Sequence, residues 1–350
     1  MTPYIILFIF TIVAILALLE EKIKESQISI IFYALAVFLI LLAGLREIGI
    51  DYDSANYADA YINYDQGGVE ISFIFISAIL NTFSHNAHFL FMTYAIIGVS
   101  LKFISIKRLS NSIIISAMIY LCYYYEMQEC MQIRSGVLAG FYLMSIPYIA
   151  EKKKAKAVLC ILTGCFFHIS GLLLIPILFL NNTEFTKKDK IKWSLVIPFS
   201  YILYFAGVTI LLSFDIPYIG QKLEVYQRMN DIGNSELGIN VFNPLLLMNI
   251  MMFYYLMYFS KSVQKESKYF PILMKCYALG ISAYMIFSFL PVLALRANIL
   301  ISVVSIILIS NIAYTIKPRW ASICGLIVFC ILYLNYGLKC FEGFIFLWQV

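Results

Sequence analysis

Residues 157–180 read AVLCILTGCFFHISGLLLIPILFL, with EKKKAK (151–156) just before them and KKDKIK (187–192) shortly after. Twenty-four apolar residues are enough for one helical crossing of a bilayer. The lysines on both flanks argue against it. Cytoplasmic loops collect Lys and Arg, and one crossing would put the two lysine clusters on opposite sides. If the chain turns back near His168–Gly171, eighteen basic residues fall on one side and six on the other. With a single crossing everything downstream inverts, and the tally becomes thirteen to eleven. (Lys275, near the end of its own span, is left out of both counts.) The charge pattern therefore predicts a re-entrant helical hairpin over 157–180.

Working outward, the rest of the chain is membrane of the same kind. Of 350 residues 62% are hydrophobic and 13% charged, with a mean hydropathy of +0.87. A water-soluble core saturates well before this much apolar surface. Apolar runs predict an all-α, polytopic integral membrane protein. About ten full spans are expected, at 3–19, 28–45, 88–106, 111–126, 133–150, 193–213, 243–259, 271–293, 297–316 and 320–338. They form a single transmembrane domain over 1–350, because no polar segment exceeds roughly 30 residues. The first run has no basic residue before it and no small-residue cleavage site after it, and is expected to be retained as a span. The net charge of +5 reflects membrane anchoring and gives no reason to expect nucleic acid. The eight cysteines lie almost all inside apolar runs, with no C-x-x-C, as packing residues do.

Polar features then stand out against this background. Arg46 to Glu70, REIGIDYDSANYADAYINYDQGGVE, sets one arginine against six acids, with four tyrosines between them. This outer acidic and aromatic loop is either a solvated connector or the wall of a polar site. Residues 70–87 carry Ser77, Asn81, Ser84 and His85, with His88 just beyond, on one helical stripe, which predicts an interfacial or cavity-lining helix. Arginine, rare on the lysine side, dominates the other. Arg46, Arg134 and Arg296 sit at span ends facing one compartment, and Arg228 lies in the longest outer loop, 214–242. Arginine suits forked contacts with phosphate or carboxylate, although each could instead pair with a nearby acid, as Arg46 with Glu47 or Arg134 with Glu126. His168 occupies the hairpin apex, in the outer half of the membrane, where an outer cavity can reach it.

The order R-x-x-G-x-D…Y (Arg46, Gly49, Asp51, Tyr57), Glu70 before Phe73, QIRSGVLAG (Gln132–Gly140), FFHISGLLLIPI (Phe166–Ile177) and LRANI (Leu295–Ile299) resembles the EpsG-like branch of Wzy-type polysaccharide polymerases. The resemblance covers residues 46 to about 300. It implies a glycosyltransferase of the bacterial inner membrane, acting on its periplasmic or outer face on oligosaccharide repeat units carried by undecaprenyl diphosphate. O-antigen or another surface polysaccharide would be its product. A flippase and a chain-length regulator of the same pathway would be its partners, alongside membrane lipid.

With that chemistry, Arg46, Arg134, Arg296 and Arg228 are the candidates to bind diphosphate without a metal or other cofactor. The base is sought among Asp51, Asp53, Glu126, Glu129 and His168. Tyr57, Glu70 and Gln132 are candidate substrate contacts. Asp51-Tyr52-Asp53 also matches the D-x-D of metal-dependent glycosyltransferases, a short pattern in a loop full of acids. A lipid-linked oligosaccharide flippase and a membrane O-acyltransferase are the rival readings.

Overall fold

The computed structural model describes residues 2–66, 70–213, 239–341 and 344. Every regular element among them is a helix, apart from an isolated bridge between Asp51 and Phe341. Helix α1 (Thr2–Leu19) shows what surrounds the molecule. It buries Ile6, Phe10 and Val13 on one face and exposes Tyr4, Phe8, Ile12 and Ile15 on the other. A helix apolar on both faces has lipid on the face that protein does not cover.

Six helices among the described residues are long and apolar enough to cross a membrane. They are α1, α2 (Glu25–Gly44), α5 (His88–Leu109), α7 (Ile133–Ala150), α14 (Pro291–Ile301, continuing in turns to Tyr314) and α15 (Arg319–Gly337). Between them lie α3 (Ser54–Ile62), α4 (Ile71–Asn81), α6 (Ile113–Ile119), α8 (Lys154–Phe167), α9 (Lys187–Ser194), α10 (Val196–Ser213), α11 (Pro244–Tyr258), α12 (Ser260–Glu266) and α13 (Phe270–Ile286). The chain is a polytopic all-α membrane protein. Three expected spans, 111–126, 243–259 and 271–293, correspond to the shorter apolar helices α6, α11 and α13.

Helix α6 differs most from expectation. It continues without a break as π-helix over Tyr120–Tyr124 and Glu126–Met131. The span expected to stop at 126 therefore runs to Met131, so Glu126 is not at its end and Glu129 lies inside the bundle rather than in the loop beyond. The wider winding of a π-helix does not follow the 3.6-residue period by which helices are read from sequence.

The hairpin is built from two unlike arms. Helix α8 breaks at His168, whose backbone is extended (φ −155°, ψ 127°), and the chain returns as 3₁₀-helix over Ile169–Phe179. Fourteen residues of α-helix rise about 21 Å. Eleven residues of 3₁₀-helix rise about 22 Å. The arms therefore match in length despite unequal residue counts. The return arm keeps a three-residue period, exposing Ile169, Leu172 and Ile175 and burying Gly171, Leu174 and Ile177. Apex packing needs glycine: a Cβ on Gly171 would meet Cys165 Sγ at 2.5 Å. At the open end, Lys154 and Ala157 face Leu178 and Asn181 across a cavity of about 260 Å³.

The lysine-bearing loops gather at that same end. Asn182 Nδ2 donates to Lys268 O (2.9 Å), and Lys268 Nζ lies 3.7 Å from Glu151 Oε1. Arg319 pairs with Glu20 (3.1 Å) and Glu21 (2.8 Å). One residue counted as a loop anchor is misplaced by the sequence reading. Lys102 lies inside α5, fully buried, which removes it from the anchoring set without changing the bias.

Helix α4 is the short amphipathic helix expected within 70–87. Its polar stripe holds α3 in place: Asn81 Nδ2 donates to Tyr61 O (2.8 Å), and the Tyr61 hydroxyl donates to Ser84 O (2.5 Å). His85 Nδ1 lies 2.7 Å from Asn81 Oδ1. Ile71, Phe75 and Ile79 form the opposite, exposed face.

Candidate functional site

At the end opposite the lysines, the R-x-x-G-x-D motif folds as a buried clamp. Gly49 turns the chain with φ +88°, a conformation that side chains with a Cβ rarely adopt, and its N–H donates to Ser54 Oγ (2.8 Å). The turn sets Asp51 against Arg46, whose Nε donates to Asp51 Oδ2 (2.9 Å). The other Asp51 oxygen accepts the N–H groups of Asp53 (3.1 Å) and Ser54 (2.8 Å) at the start of α3. Arg46 also donates to Ala43 O (2.6 Å) and Cys130 O (2.7 Å) and lies over the Phe91 ring at 4.2 Å. Both side chains are fully buried. Arg46 and Asp51 thus bind α2, α3 and the π-helix together, and their polar atoms face protein. The local pairing considered for Arg46 is present, with Asp51 in place of Glu47.

Above this clamp four remote segments converge. Arg134, in the first turn of α7, forms an ion pair through Nη1 with Oε2 of Glu70, the residue preceding α4. The other Glu70 oxygen lies 3.5 Å from Nε2 of His168 at the hairpin apex. The Arg134 guanidinium covers the rings of Tyr57 (5.4 Å) and Phe73 (5.7 Å). Arg296, on α14, is exposed and makes no hydrogen bond or ion pair among the described residues, yet its charge acts on Asp53, Tyr57 and His168. Arg134, Arg296, Glu70, His168, Asp53 and Tyr57 therefore share one electrostatic neighbourhood.

Two details define what these groups can do. Arg134 Nε is buried and has no partner, although Nη1 is occupied by Glu70. The guanidinium is thus held by Glu70 and by the Tyr57 hydroxyl, and keeps one unmet donor inside the site. His168 Nδ1 accepts the N–H of Ser170 (3.1 Å), which places the ring proton of neutral imidazole on Nε2, facing Glu70. In this arrangement His168 presents an N–H donor to Glu70.

Asp53 precedes α3 without capping it, half-buried, and its carboxylate has no hydrogen-bond or ion-pair partner among the described residues. Burial raises its pKa above the usual aspartate value and the neighbouring Asp51 raises it further, while Arg296 and Arg134 pull the other way. Gln132, just before α7, has a buried Oε1 with no partner.

The remaining candidates lie elsewhere. Glu126 is fully buried, with Oε2 near Gly337 of α15 and neither oxygen hydrogen-bonded, so it is not the acid that pairs with Arg134. Glu129 is buried on Lys102 and Tyr120. Arg228 and most of the 214–242 loop fall outside the described residues. The D-x-D reading gains nothing from the geometry, since Asp51 is held by Arg46. No group of three or more potential metal ligands gathers among the described residues. Sequence reasoning missed Glu70 as the junction of Arg134 and His168. It also missed the Lys102–Glu129 pair, whose only signal is a lysine inside the otherwise apolar YAIIGVSLKFISI.

Fold and site together define a polytopic membrane protein with a site of converging arginines and carboxylates at one end. The chain belongs to the EpsG family, whose family model matches residues 29–345. Among its relatives, the amylovoran biosynthesis protein AmsC of Erwinia amylovora is 23% identical over 73% of this chain and 72% of its own length. No solved structure matches.

Proposed function

We propose that this protein is a membrane glycosyltransferase that joins lipid-diphosphate-linked oligosaccharide repeat units into a surface polysaccharide, on the face opposite the lysine-rich loops. The family, and a relative named for biosynthesis of the polysaccharide amylovoran, support the general reading. The observation that carries the specific one is the convergence of two arginines on Asp53 and His168: Arg134, and an exposed Arg296 that makes no hydrogen bond or ion pair among the described residues.

In this reading a diphosphate binds against Arg296 and displaces a present partner of Arg134 to reach its guanidinium. An acceptor sugar hydroxyl attacks the anomeric carbon of the growing chain. The bond from that carbon to the diphosphate oxygen breaks, and the lipid diphosphate leaves with the electron pair. Charge growing on the leaving group meets two guanidinium groups already in place, and such fixed donors need no reorganisation as charge develops. The hydroxyl proton passes to a carboxylate. Asp53 has a half-buried carboxylate without a partner among the described residues and of raised proton affinity, which suits it to that role. His168 holds Glu70 through Nε2–H, and Tyr57 and Gln132 are the candidate sugar contacts.

The test is the surface glycan of a host lacking this protein. Loss of a polymerase leaves single repeat units on the final acceptor. Absence of all units would indicate a flippase, and full-length chains lacking acyl groups an acyltransferase.

A further inference from the structure

A charged pair lies in the bundle below the site, outside every step just described. Lys102 Nζ, in the middle of α5, pairs with Glu129 Oε1 on the π-helix and also donates to Gly136 O in the first turn of α7 (2.8 Å). The Tyr120 hydroxyl donates to the same Glu129 oxygen (2.9 Å). Lys102, Glu129 and Tyr120 are all buried. Intramembrane charges are costly and seldom serve packing alone. Apolar residues of similar size stabilise a core at least as well as a buried ion pair does.

The surroundings show what the pair fixes. A Cβ on Gly98 would meet Glu129 Oε2 at 2.3 Å, and a Cβ on Gly136 would meet Gln128 O at 2.2 Å. One turn on, a Cβ on Gly140 would meet Leu101 at 2.7 Å. Gly140 thus lets α7 lie directly on α5, and Gly136 lets its first turn lie on the π-helix, the close approach that small residues allow between membrane helices. Close packing of this kind still allows sliding along the helix axis. Lys102 prevents it, because its ammonium is bonded at once to the π-helix and to a carbonyl two residues from Arg134.

We infer that the Lys102–Glu129 pair is a positioning device that sets the register of the first turn of α7, and through it the aim of Arg134. The inference rests on the polymerase reading for its functional consequence, and on geometry alone for the positioning itself. Lys102 and Glu129 are positioning residues and touch no substrate.

The experiment uses the full chain with Lys102→Met and Glu129→Leu together, which removes the charges while keeping the volume. Polymerisation rate with lipid-linked substrate is expected to fall at least tenfold, with the protein still monodisperse. On an Arg134→Lys background the same pair of changes is expected to add no further loss. A multiplicative loss would show that the pair acts elsewhere and overturn the inference. So would a normal rate in the double variant.

A second readout does not depend on activity. Cysteines at 70 and 134, in place of Glu70 and Arg134, are joined by a short bifunctional thiol reagent. The yield is expected to drop sharply when Lys102 and Glu129 are apolar, and an unchanged yield would overturn the inference. If Arg134→Lys alone leaves the rate untouched, the polymerase reading fails while the cross-linking still decides the positioning. Should the double variant not fold, Tyr120→Phe removes one bond to Glu129 and nothing else. A several-fold loss is then expected, and no loss counts against the pair.

Discussion

Arg46→Lys separates the two kinds of arginine in this protein. The Arg46 guanidinium makes three divergent bonds, to Asp51 Oδ2, Ala43 O and Cys130 O, in a fully buried position. An ammonium at that depth can keep the bond to Asp51 but cannot reach both carbonyls. At roughly 1–3 kcal/mol for each buried acceptor left unmade, the loss is about 3 kcal/mol, on the order of a 100-fold change in the folded-to-unfolded ratio. Heating the detergent-solubilised protein and measuring the monodisperse fraction is the assay. Arg46→Lys should lose its monodisperse peak at clearly lower temperature, while Arg134→Lys should match the wild type. An Arg46→Lys protein of normal stability that makes no polymer would refute the clamp and return Arg46 to the substrate site.

Other perturbations probe single features. His168→Gln is expected to keep part of the activity, since its amide N–H replaces the Nε2–H that faces Glu70, whereas His168→Ala loses nearly all; equal loss in both, at normal protein level, would argue for proton transfer by the imidazole. Asp53 has its pKa raised in the fold, so its ionisation opposes folding above the unfolded value, and a rate depending on its carboxylate is lost as pH falls through the raised value. Asp53→Asn should therefore abolish polymer while leaving the protein no less stable; a less stable protein would contradict the sign. Cysteines replacing Lys154 and Lys188 should both resist a membrane-impermeant thiol reagent in intact cells, and labelling of 188 alone would break the hairpin.

The membrane class was legible because hydropathy and charge asymmetry are properties of composition. The hairpin was legible for the same reason: lysine clusters on both sides of one apolar run admit few topologies. The 3₁₀ return arm was not, because ISGLLLIPILF is apolar throughout and its three-residue burial period emerges only against the helices it packs on. Polar contacts were legible only as residue types. Arg46 and Arg134 look alike in sequence, each at a span end beside acids. A glycine turn makes one of them a buried clamp, and the other ends beside Glu70, more than sixty residues away in sequence. Glu129 fell beyond the expected span, and Glu126 at its last residue, because π-helix carries no period that a helical pattern can show.

The most direct test of the central claim is polymerisation by purified protein in lipid nanodiscs supplied with lipid-diphosphate-linked repeat units. The wild type should lengthen the glycan and release lipid diphosphate in step with each bond formed. Arg134→Lys and Arg296→Lys, which keep the charge but lose the fork, should each slow both signals about 100-fold, the rate equivalent of a few kcal/mol of forked, charge-assisted contact. Arg319→Lys, at the lysine-rich end, should leave them unchanged. Wild-type rates in the Arg134 and Arg296 variants, or glycan growth without release of lipid diphosphate, would contradict the account.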